Sequence, residues 1–80
     1  MSHGMKRTTL DNKWHRLDGQ CRALKDACPK KADDHIGKAS TALFHVDEFP
    51  ASQTAYFLGL ARQHLYAAER LLRAAMTDQY

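Results

Sequence analysis

The sequence predicts an all-α fold, a three-helix bundle, on three observations. Apolar residues recur at helical spacing in three successive segments, and the only two prolines, Pro29 and Pro50, fall between those segments. The third segment is composed almost entirely of good helix formers. With 80 residues, 44% of them hydrophobic and 26% charged, the chain has room for one small domain. A chain of this size buries only about 60% of its unfolded surface, so dimerisation or a covalent staple would help to stabilise it.

The first helix is expected over about residues 9–28. Leu10, Trp14, Leu17, Cys21, Leu24 and Cys28 step by four and three, which places them on one stripe roughly 80° wide. Asp11 suits the first turn, Pro29 ends the pattern, and Asp18 with Arg22 and Arg22 with Asp26 are opposite charges at i,i+4. The second helix is expected over about 32–46, carried by Ile36, Ala39, Leu43 and Val46, with Ala32 and Phe44 flanking the same face. Asp33 or Asp34 is placed to favour its start, while Gly37 and Thr41 lower its propensity. The third is expected over about 52–76, on the order of 37 Å long, with Pro50 in its first turn or Ser52 as its cap. Its apolar arc fills half the circumference, centred on Ala61, Ala68 and Ala75 at heptad spacing beside Leu58, Leu65 and Leu72. A face that wide and long predicts an uncovered overhang and therefore a homodimer. Residues 9–80 are read as the domain. Residues 1–8 are read as a flexible N-terminus, with Met5 a candidate native start behind a short leader of cloning origin.

Several function classes are excluded at this level. No apolar run approaches the roughly 20 residues that a membrane span needs, and no export signal is read. Two cysteines are too few for a disulfide scaffold, and at two helical turns apart Cys21 and Cys28 are expected neither to bond to each other nor to share a metal. A reducing cytoplasm is the expected compartment. None of the five histidines pairs at a metal-binding helical spacing, so no metal or other cofactor is expected. His64 is the exception worth following, because it sits in the apolar arc of the third helix, where a titratable ring needs a hydrogen-bond partner; a metal or cofactor site in the bundle core around it is the third reading. No nucleophile and orienting carboxylate are set around it, and an enzyme is not expected.

What remains is binding. Arg62, Tyr66, Arg70 and Arg73 on the polar half of the third helix combine an aromatic ring with arginines, a composition enriched at interfaces, and Trp14 is either a core anchor or an interface hot spot. Net charge is +3, but residues 1–32 carry +5, residues 33–50 carry −3 and residues 51–80 carry +1. The basic first helix opens an alternative reading as a nucleic-acid-binding regulator through Lys13, Arg16, Arg22, Lys25, Lys30 and Lys31, with the interleaved acids arguing against a dedicated binder. The favoured expectation is a small protein–protein interaction module that acts as regulator, adaptor or inhibitor of a larger protein, of the kind phages and plasmids encode. Richness in alanine and arginine points to a bacterial source.

Overall fold

A computed structural model describes residues 7–77, and within them three helices pack against one another without a strand. Helix α1 spans Arg7–Leu24, α2 spans Lys30–Glu48 and α3 spans Thr54–Thr77; single 3-10 turns, Lys25–Ala27 and Ala51–Gln53, precede α2 and α3. The expected three-helix architecture is therefore present. Residues 1–6 and 78–80 lie outside the described residues, as do the readings made on them. Arg7 and Thr8, assigned from sequence to a flexible N-terminus, belong to α1, and Arg7 holds its end down by ion-pairing with Asp11 at 3.5 Å and with Asp47 on α2.

The core consists of the stripes that helical periodicity picks out. Leu10, Leu17 and Cys21 of α1, Ala32, Ile36, Ala39, Ala42 and Leu43 of α2, and Ala61, Leu65, Ala68 and Leu72 of α3 form one buried cluster. Ala61, Leu65 and Ala68 have no exposed surface, so the small side chains admit the neighbouring helices closely and the leucine fills the gap between them. α2 and α3 form the most extensive interface, and α1 lies against both. The principal extents of 44 × 25 × 15 Å describe a slab about two helices thick. Because α2 runs four residues longer than expected, it covers most of α3, and the centre of the broad α3 arc is buried within one chain.

Three details depart from the sequence expectations. The first helix stops at Leu24, not at 28, because Lys25 takes a left-handed backbone, φ 52°, at the position after a helix where glycine usually stands. The following turn closes with the Cys28 amide donating to the Lys25 carbonyl at 3.0 Å. This reversal overturns the two-turn separation of the cysteines: the Cα atoms of Cys21 and Cys28 come to 5.1 Å and the residues form a disulfide. The expectation of a reducing compartment rested partly on unpaired cysteines, and that ground is gone. Among the described residues, no helix is long and apolar enough to cross a membrane.

The other two departures concern helix ends and one side chain. No side chain caps the turn after Pro29 or Pro50, so Asp33, Asp34 and Ser52 do not act as caps, although Asp33 does lie in the first turn of α2 as an acid favouring its start. Backbone bonds close both ends of α2 instead, from the Asp33 amide to the Pro29 carbonyl at 3.1 Å and from the Phe49 amide to the His45 carbonyl at 3.0 Å. Phe44, expected on the core face, is 60% exposed.

Candidate functional site

The residues singled out from the α3 polar face are used largely within the chain. Glu69, only 14% exposed in its side chain, receives Lys13 at 2.9 Å, Arg16 at 3.2 Å and Arg73 at 3.6 Å. Its carboxyl is held below the usual carboxylate range, chiefly by the Lys13 hydrogen bond and then by the nearby cations, against the opposing effect of burial. Tyr66 lies under the Lys13 ammonium, 4.0 Å from the ring centroid, with the Arg62 guanidinium at 5.4 Å. The α3 strip thus fastens α1 to α3. Trp14 is likewise engaged, donating its indole N–H to the Ile36 carbonyl at 2.9 Å. Of the five expected partner contacts, Arg70 alone has no side-chain hydrogen bond, ion pair or cation–π contact within the chain among the described residues.

The six basic residues of the nucleic-acid reading are divided in the same way. Lys13 and Arg16 are committed to Glu69, and Arg22 pairs with Asp18 at 2.9 Å. Lys25, Lys30 and Lys31 remain as exposed cations near the disulfide turn. They form a short cluster at one end and make no continuous stripe.

A different surface comes together along the seam between α2 and α3. On α2, Lys31, His35, Lys38, Ala42, His45 and Phe49 step by four and three, a second line parallel to the core stripe. On α3 the facing line is Phe57, Leu60, His64, Ala67 and Leu71. Antiparallel packing puts Lys31 toward the disulfide end, His35 and His64 at the middle, and His45 with the Phe49 and Phe57 rings toward the α2–α3 turn. Near the basic end, Lys31, His35, Ala67, Arg70 and Leu71 line an open groove of about 450 Å³ to which α1 contributes nothing.

At mid-seam, Nδ1 of His35 and Nδ1 of His64 are 3.0 Å apart. The ring centroids are 5.2 Å apart, so the two imidazoles meet head to head along the nitrogen–nitrogen line, as in an N–H···N hydrogen bond with one proton between them. Chelation of a metal would instead require both lone pairs to turn toward a common point off that line. The pair satisfies the ring that the sequence placed in the apolar arc, although the partner is a histidine rather than a hydroxyl or backbone carbonyl. Burial, followed by the charges of His35 and Lys38, pushes the His64 pKa below the ordinary histidine value. No group of three or more metal-ligating side chains is assembled among the described residues.

At the other end, His45 packs against Phe49 and Phe57 with ring centroids 5.1 and 5.2 Å away, and Phe49 and Phe57 are 5.0 Å apart. Tyr56 stacks edgewise on Phe57 at 5.2 Å. Phe57 is buried beneath this cluster, whereas Phe44, Phe49 and Tyr56 are 60%, 42% and 63% exposed. Sequence reasoning placed Phe44 on the core flank and did not single out His45, Phe49 or Tyr56; the signal available for His45 and Phe49 was the second four-and-three line of α2. Compared with models of protein families, with curated proteins and with solved structures, the chain matches none of them.

Proposed function

We propose that the chain is a small helical protein–protein interaction module, acting by binding rather than catalysis, and that it docks its partner through the aromatic end of the α2–α3 pair. The observation that carries this reading is the exposure of Phe49 and Tyr56 against a buried Phe57, with Phe44 also exposed beside His45. A whole aromatic side chain buries on the order of 150–250 Å², of which these rings still have about half to give to an interface, and rigid aromatic anchors of this kind dominate binding energy. Contiguous apolar surface that folding leaves in water marks an interaction site more often than an isolated exposed residue does. A regulator, adaptor or inhibitor of a larger protein is the role that fits a single small domain with this surface.

Photo-crosslinking tests the reading directly. A photoreactive phenylalanine analogue at Phe44, Phe49 or Tyr56, expressed in the native cell, should yield one discrete adduct to another protein, absent when the analogue replaces Arg22 or Gln63. Adducts that are equal at all five positions, or missing at all of them, would refute it. Adducts only to a second copy of the chain would assign the aromatic end to homodimerisation.

A further inference from the structure

We infer that the open seam between α2 and α3 receives an acidic amphipathic helix of the partner protein. The inference rests on the reading of the chain as a protein-binding module and names the partner's chemistry.

Charge is the first argument. Lys31, Lys38 and Arg70 flank the seam, and none has an ion-pair partner among the described residues, although most other arginines of the domain and Lys13 do. No aspartate or glutamate lines the groove at the basic end of the seam. Asp33 and Asp34 line the opposite groove of α2 together with Asp18 and Trp14, and Lys38 borders both that groove and the seam. Lys31 and Arg70 therefore leave fixed positive charge on the seam side, and Lys38 stands between the seam and the acidic groove.

Shape is the second argument. Between the cations the floor is apolar, with Leu60 and Leu71 half-buried and the small Ala67 between them. A trough between two helices, with a small residue on its floor, accepts a third helix at ordinary packing distance, and the guest would anchor through residues at i, i+3, i+4 and i+7. From Lys31 to Phe49 the α2 line runs about 27 Å, the length of roughly 18 helical residues. An acidic helix presents a carboxylate every turn or so, about 5–6 Å, which Lys31 and Lys38 on that line and Arg70 across the groove on α3 can meet. Duplex DNA presents a charge every ~1.7 Å of axis and no apolar face, so the same surface would match it poorly.

The test is selection of helical peptides of about 18 residues from a phage-displayed library on the intact, oxidised protein. Enriched sequences should carry leucine, isoleucine or phenylalanine at i, i+3 or i+4 and i+7, with aspartate or glutamate beside them. By fluorescence anisotropy, a selected peptide should bind the double variant Lys31→Glu/Arg70→Glu about tenfold or more weakly than the parent, and a peptide with its acids changed to lysine should prefer that variant. Both residues are exposed, so the variant should melt with the parent, and a circular-dichroism melt confirms that it is folded. Enrichment without acids, or affinity that the charge reversal leaves unchanged, overturns the inference. So does tighter binding of duplex DNA that the same variant abolishes, or a parent dimer in light scattering that the variant dissociates. If the seam fails in these ways while the aromatic-end crosslink to another protein persists, the module reading stands and only the acidic-helix assignment falls.

Discussion

Reduction of the Cys21–Cys28 disulfide should destabilise the domain by about 2 kcal/mol. The bond closes a loop of eight residues, given a sequence separation of seven. The chain-entropy relation assigns a loop of that size about 2.5 kcal/mol at 25 °C. Against this, the reduced chain can relax Lys25 out of its left-handed backbone and extend α1 toward the helix end that periodicity favours, which recovers up to about 1 kcal/mol. For a domain whose hydrophobic core supplies only about 3–5 kcal/mol, the net loss is a large fraction of the whole. At about 4–8 °C per kcal/mol, the midpoint should fall by roughly 8–16 °C. The assay is thermal unfolding by circular dichroism with and without a phosphine reductant, with the mass of each sample establishing its redox state. The double variant Cys21→Ala/Cys28→Ala should be insensitive to reductant. Oxidised and reduced protein that melt within about 2 °C of each other would refute the reasoning, as would two titratable thiols in the protein as purified under air.

Further predictions follow from single positions. Lys25→Gly should stabilise the domain by about 1 kcal/mol, because glycine takes the left-handed backbone without the steric cost a lysine bears; a lower denaturation midpoint in urea would contradict the assignment of that backbone. Glu69→Gln should cost about 1–2 kcal/mol, between the values for exposed and buried pairs, since it leaves the 12%-exposed Lys13 side chain without its counter-charge; chemical denaturation reads this, and no change would mean that the pair is solvated. Glu69 is lowered in the folded state, so its contribution is present above the ordinary carboxylate value of 4.5 and is lost as pH falls through the folded value. His64 has the opposite charge type. Its pKa is lowered by folding, so the unfolded chain binds the extra proton, and stability should fall as pH drops below the ordinary value of 6.5 toward the folded one. His64→Gln should flatten that part of a melting profile taken between pH 7.5 and 5, and an unchanged slope would reassign it to another group.

The three helices and the residues that fill the core were legible because helical periodicity is local: the spacing of Leu10, Leu17 and Cys21, or of Ala61, Leu65, Ala68 and Leu72, reports a buried face without reference to any neighbour. The end of α1 was not legible in the same way. A helical reading carried the stripe through Leu24 to Cys28, and only the left-handed backbone at Lys25, in a chain reversing toward α2, converts a 10 Å separation along an axis into a disulfide. The candidate surface was beyond reach for a related reason. His35 and His64 are 29 residues apart on separate helices, and Lys13 and Glu69 are 56 apart, so their pairing depends on the rotation and tilt that core packing imposes on each helix. Periodicity identifies which face of a helix is buried, but the partner for each polar group beside that face is chosen by which flanks are brought together. Packing spent Tyr66, Glu69, Lys13 and Arg16 on the α1–α3 contact and left Lys31, Lys38 and Phe49, at the edge of the α2–α3 seam, exposed.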